Sequence, residues 1–99
     1  MEHTILVVDD EPASLRALQR TLSLHYRVLT ADGGSSALER LAEQPVSLVV
    51  TDHRMPEVSG IEMLCRSRAT HPDLVRIVLT GYADVEALIQ AINEGAVFF

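Results

Sequence analysis

The chain contains no lysine and no tryptophan, one cysteine, two tyrosines and two phenylalanines in 99 residues. A single cysteine, Cys65, excludes an internal disulfide and fits a reducing compartment. All eight basic side chains are arginines, set against 14 acidic ones for a net charge of −6. Such a balance argues against direct binding of nucleic acid or of an anionic membrane, because both need cationic patches. No apolar run approaches the roughly 20 residues of a membrane span. Met1-Glu2-His3-Thr4 carries no basic leader, so no signal peptide and a cytoplasmic location are expected. His3, His25, His53 and His71 show no metal-ligand spacing with one another or with Cys65. Gly33-Gly34 is not part of a dinucleotide-binding GxGxxG pattern. What is present is a 47% hydrophobic content, too high for a disordered chain, in a length that suits one domain with one core.

Short β-rich runs alternate with longer helical patterns. Ile5-Leu6-Val7-Val8 is a continuous apolar run, as expected of a strand covered on both faces. Pro12 suits the first turn of a helix with Ala13, Leu15, Ala17, Leu18 and Leu22 as its apolar stripe. Arg27–Ala31 reads as a second strand. Ser35 or Ser36 is the expected cap of a helix carrying Ala37, Leu38, Leu41 and Ala42. Leu48–Thr51 is a third strand, followed by a loop and a helix from about Gly60 with Ile61, Leu64, Cys65 and Arg68 on one side. Val75–Thr80 is a fourth strand, and Val85, Leu88, Ile89 and Ile92 mark a further helix. Val97-Phe98-Phe99 opens a fifth strand. Arg66, Arg68 and Arg76 read as solvated charges, and His53 as a solvated loop residue. The alternation implies an α/β fold with a parallel sheet and right-handed crossovers.

Ligands of open parallel sheets bind outside the carboxyl ends of the strands. Strand one ends on Asp9, Asp10 and Glu11, strand three on Asp52, and strand four on Thr80 and Gly81. An acidic pair at a strand end can simply complement the next helix dipole. Acidic or hydroxyl groups at three strand ends point instead to a shared site. Carboxylates held together repel, and oxygen-only ligands favour a hard cation, Mg²⁺ above all. A cation there would draw phosphoryl oxygens, and an aspartate beside it could form an aspartyl phosphate.

Three segments carry a family resemblance. Ile5-Leu-Val-Val-Asp-Asp-Glu-Pro12, Asp52-His-Arg-Met-Pro-Glu-Val-Ser-Gly60 and Leu79-Thr-Gly-Tyr-Ala-Asp84 resemble the motifs of CheY-like receiver domains of two-component response regulators, in order and spacing, across residues 1–99. The resemblance implies a flavodoxin-like α/β/α sandwich with strand order 2-1-3-4-5. It makes Asp52 the acceptor of a phosphoryl group from a sensor histidine kinase. Asp10 is then the direct Mg²⁺ ligand, Asp9 its partner through water, and the backbone carbonyl of Arg54 a further ligand beside Asp52. Thr80 corresponds to the switch hydroxyl, the Gly81 N–H to a phosphoryl contact, and Phe98 or Phe99 to the switch aromatic. The domain would be a switch, not a turnover enzyme. Its output and dimerisation face would lie around the helix over Val85 to Asn93. The wording of the second and third motifs is similar to receivers joined to DNA-binding, transcription-activating domains or to cyclic-di-GMP phosphodiesterases.

The family also implies a lysine at the end of strand five and a fifth helix. These 99 residues stop at Phe99 without a lysine. These residues are therefore expected to be a piece of a longer regulator or a truncated receiver, with a partial fifth strand and no fifth helix; taken alone they would leave apolar sheet surface uncovered beside helix one and tend to self-associate. The alternative is an interaction or dimerisation module that works without phosphorylation. A Mg²⁺-dependent phosphohydrolase is disfavoured, because Arg54 stands where such enzymes commonly place an acid/base carboxylate. In the receiver family, the side chains at the positions of Arg54 and Tyr82 border the path of hydrolytic water. Replacing both with small residues is expected to speed loss of the phosphoryl group, as measured by intact mass over time; an unchanged or slower rate would contradict this.

Overall fold

A computed structural model describes residues 3–79. The elements are β1 (Thr4–Val8), α1 (Pro12–Leu22), β2 (Arg27–Ala31), α2 (Gly34–Glu43), β3 (Leu48–Asp52), α3 (Gly60–Thr70) and β4 (Val75–Leu79). All strand pairs are parallel, in the order β2-β1-β3-β4. The expected α/β class and the first four places of the strand order are therefore observed. The expected helix over Val85 to Asn93 and the fifth strand lie outside the described residues.

Register decides which side chains share a face. Leu6 pairs with Val49 and Val49 with Arg76; Val8 pairs with Thr51 and Thr51 with Val78. These residues point to the side covered by α2 and α3. There Leu6, Val8, Val49 and Val78 form one core with Ala37, Leu41, Met63 and Leu64. On the opposite side α1 contributes Leu15, Leu18 and Leu22, all half-buried, while Ala13 and Ala17 of the expected stripe are exposed. An apolar groove of about 490 Å³ runs there between Leu22, Ile5, Leu48, Val50, Val75 and Ile77.

Local chemistry explains the helix ends. Pro12 opens α1 as expected, since its missing N–H is unneeded at that position. Ser35 and Ser36 do not cap α2. The helix starts at Gly34 with Gly33 as N-cap, and the Ser36 hydroxyl turns back to Asp32 Oδ1 at 2.8 Å. The reason is packing: a Cβ on Gly34 would sit 2.7 Å from Val58, so α2 begins where its backbone can press on the loop before α3. For α3, Ser59 is the N-cap and accepts from the Glu62 N–H at 3.1 Å. The Ser59-x-x-Glu62 spacing is the usual sign of such a start.

The end of α3 and the start of β4 depart from the sequence reading. The buried stripe of α3 is Gly60, Met63, Leu64 and Ser67, with Ile61 and Cys65 half-buried at its flanks and Arg68 exposed. Arg76 is not solvated but only 4% exposed. Its guanidinium donates from Nε to Ser67 Oγ at 3.1 Å, from Nη1 to the Leu74 carbonyl at 2.9 Å and from Nη2 to the His71 carbonyl. Burial, and then the charge of Arg68, push its pKa down. Its fixed fork of donors satisfies acceptors at the C-terminal end of α3, where helix carbonyls favour positive charge. Beside it His71 Nε2 lies 2.9 Å from the Leu41 carbonyl. The residue four beyond Leu41 is Pro45, which has no N–H to offer that carbonyl.

Glu57, in the loop between β3 and α3, has φ of 67°, a left-handed conformation that costs a side-chain-bearing residue about 1–2 kcal/mol. Glycine there adds only about 0.4–1 kcal/mol of unfolded-state entropy. Glu57→Gly is therefore expected to hold stability or raise it by up to about 1.5 kcal/mol. Glu57→Val should lower it, because branching at Cβ makes this backbone harder to adopt. Chemical denaturation of the three proteins checks the order.

Candidate phosphoacceptor site

Two strand ends build the site. β1 delivers Asp9, half-buried, and Asp10, exposed; β3 ends on Asp52, half-buried. Because Val8 and Thr51 are register partners, the residues that follow them emerge side by side. One oxygen from each of Asp9, Asp10 and Asp52 lies within 4.8 Å of the others. Among the described residues this is the one cluster of its kind. Asp9 Oδ1 accepts the Glu11 N–H at 3.0 Å. This turn fixes Asp9 before α1 starts, and the Asp9-Asp10 pair is not the side-chain cap of that helix, whose N-cap is Glu11.

Asp52 is held by its own backbone. Asp52 Oδ1 accepts the His53 N–H at 2.9 Å, and the same N–H is 3.3 Å from the Leu79 carbonyl of β4. The loop that follows is anchored by buried Met55 and Val58 and returns so that the Gly60 N–H donates to the His53 carbonyl at 2.9 Å. Arg54 is exposed in this loop. His53 is half-buried with its Nδ1 shielded from solvent, not a solvated loop residue. Thr80, Gly81, Tyr82, Phe98 and Phe99 lie outside the described residues.

Burial raises the Asp52 pKa above the usual carboxylate value, Asp9 raises it next, and Asp10 adds to this; the His53 N–H and imidazole oppose them. Three carboxylates in this geometry favour a hard divalent cation, which would relieve the repulsion and accept further oxygen ligands. The donor set fits Mg²⁺: carboxylate oxygens from two strand ends, with no sulfur among them.

Comparison with known proteins agrees with this geometry. Residues 5–99 match the response regulator receiver domain family. The chain belongs to that family. Receiver domains are phosphoacceptor switches and not turnover enzymes. The receiver is 45% identical over 95 residues to the hydrogenase transcriptional regulatory protein HoxA of Cupriavidus necator, covering 96% of this chain and 20% of HoxA. It thus spans about a fifth of that relative's length. Among solved structures, a response regulator receiver domain protein from Clostridium thermocellum superposes with a TM-score of 0.90 at 34% identity, over 95% of this chain and 77% of that one. The BeF3-activated DrrB receiver domain superposes with a TM-score of 0.83 at 31% identity, over 97% and 80%. No helix among the described residues is long and apolar enough to cross a membrane.

Sequence reasoning found all three carboxylates but missed what holds Asp52. What holds it is the His53 N–H and the Gly60 N–H bond that closes the loop on His53, backbone contacts that no residue type announces.

The raised Asp52 pKa gives a stability test. A carboxyl group whose folded pKa exceeds its unfolded value lowers stability once ionised. With a chelator present at neutral pH, Asp52→Asn is expected to unfold at a higher temperature than the native chain. The gap should close as pH falls through the folded pKa of Asp52 and below its unfolded value. Mg²⁺ should narrow it by stabilising the native chain. Thermal unfolding at several pH values checks this, and a native chain that is the more stable at neutral pH without cation would contradict it.

Proposed function

We propose that the domain takes a phosphoryl group from a sensor histidine kinase onto Asp52 and passes the change to an output surface. The observation that carries this reading is the meeting of Asp9, Asp10 and Asp52 oxygens at the carboxyl edge of a receiver-type sheet. Asp52 Oδ1 is engaged by the His53 N–H, so the other oxygen is the nucleophile. It attacks the donor's phosphorus, the bond from phosphorus to the donor breaks, and the donor leaves with that electron pair. Asp10, Asp52 and the Arg54 carbonyl would hold Mg²⁺, with Asp9 reaching it through water. Bound there, the ion neutralises charge on the transferring phosphoryl oxygens.

Thr80 is proposed as the switch hydroxyl, the Gly81 N–H as a phosphoryl contact, and Phe98 or Phe99 as the aromatic that follows Thr80. An aspartyl phosphate carries about two negative charges where the free carboxylate carried one, and it adds acceptor oxygens, enough to bias a loop between two arrangements. The face around Val85 to Asn93 would read that change, as an output or homodimer contact. The relation to HoxA favours a transcription-regulating output in the full-length protein. The similarity to a receiver solved in a BeF3-activated form supports the acceptor role.

Incubation with Mg²⁺ and acetyl phosphate, followed by intact mass, tests the reading. The expected result is an adduct of one phosphoryl group that is absent without Mg²⁺ and absent in Asp52→Asn. No adduct on the full-length protein would favour a receiver-like module that works without phosphorylation.

A further inference from the structure

The acceptor carboxylate owes its orientation to the peptide that follows it. The Asp52 carbonyl and the His53 N–H belong to one planar unit, so turning one turns the other. The N–H end holds Asp52 Oδ1. The carbonyl end is gripped from two sides. The Thr51 hydroxyl, fully buried, donates to the Asp52 carbonyl at 2.8 Å. Gly60, at the start of α3, presses against the same oxygen: a Cβ there would lie 2.1 Å from Asp52 O, 2.9 Å from Asp52 C and 3.0 Å from His53 Cα. Only a residue without a side chain lets α3 start so close to the acceptor's backbone.

We infer that Thr51 and Gly60 are positioning residues for the phosphoacceptor, setting the tilt of the Asp52–His53 peptide and through it the aim of the Asp52 carboxylate. The inference rests on the proposed role of Asp52. Both residues act on the carboxylate through the backbone and touch neither phosphodonor nor cation. A Cβ at Gly60 forces the Asp52 carbonyl away by about an ångström, and a shift of that size can cost on the order of 100-fold in a reaction that depends on alignment. Loss of the Thr51 hydroxyl leaves the carbonyl without its side-chain donor and the peptide freer to tilt.

The test compares Thr51→Val, Thr51→Ser, Gly60→Ala and Gly34→Ala with the native chain. Phosphorylation by acetyl phosphate at saturating Mg²⁺ is followed by intact mass, and the ¹⁵N–¹H resonance of the His53 amide is recorded with no donor present. Thr51→Val is expected to slow phosphorylation about tenfold, with Thr51→Ser within about twofold of native, and Gly60→Ala to slow it about 10- to 100-fold. Gly34→Ala crowds Val58 and not the Asp52–His53 peptide, so it should lose stability while the His53 amide resonance of its folded fraction stays in place. The His53 amide resonance should move in Thr51→Val and Gly60→Ala and stay in place in Thr51→Ser. If Gly60→Ala does not fold, the Thr51 pair decides. Native rates in Thr51→Val, or equal slowing in Thr51→Val and Thr51→Ser, would overturn the inference. Failure of the native chain to accept a phosphoryl group would instead defeat the role given to Asp52. The amide resonances then judge the grip on the peptide by themselves, and an unmoved resonance in Thr51→Val overturns it.

Discussion

The register between β1 and β3 is the constraint from which the rest of the site follows. Parallel strands carry their C-terminal ends to the same edge, and the pairing of Val8 with Thr51 makes Asp9 and Asp52 neighbours there. Side chains alternate faces along a strand, so a slip of one residue would turn Thr51 out of the core and Asp52 to the wrong side. The apolar residues prevent this. Leu6, Val8, Val49 and Val78 share the face packed by α2 and α3, and a one-residue slip of β3 would turn Val49 and Thr51 away from it. The energy that sets the carboxylates together is thus hydrophobic, while their own interaction opposes the arrangement.

The same core reaches into the loop that carries the chemistry. Met55 and Val58 are buried between β3 and α3, and Gly34 of α2 lies against Val58. Gly60 then brings α3 onto the peptide behind Asp52. A mostly polar site edge is therefore backed by apolar anchors a few residues away. The far end of the sheet is organised differently. There Arg76 and His71 satisfy carbonyls near the C-terminal ends of α3 and α2, and polar contacts inside the protein take the place of apolar packing.

Much of this was legible in the residues. Continuous apolar runs ending in acid located β1 and β3, and Pro12 located the start of α1. The Asp9, Asp10 and Asp52 positions followed from where strands end in a parallel sheet. Arg76 misled, because charge argues for exposure unless the acceptors that bury it are known, and its acceptors come from Ser67, His71 and Leu74 around a helix end. Ser36 misled in the opposite way: a residue suited to capping was passed over because the close approach of Gly34 to Val58 set where α2 begins.

By itself the sequence determined the elements, their order and the chemical identity of the acidic edge, since periodicity and residue type are local properties of the chain. Tertiary structure alone decided that three carboxylates lie within 4.8 Å, that Arg76 is buried, and that Thr51 and Gly60 close on the Asp52 carbonyl. Some of those distances join segments far apart in the chain, as Asp9 to Asp52, and others join near neighbours folded back by a loop or a helix end. Such distances are set by register and packing, which no single segment encodes.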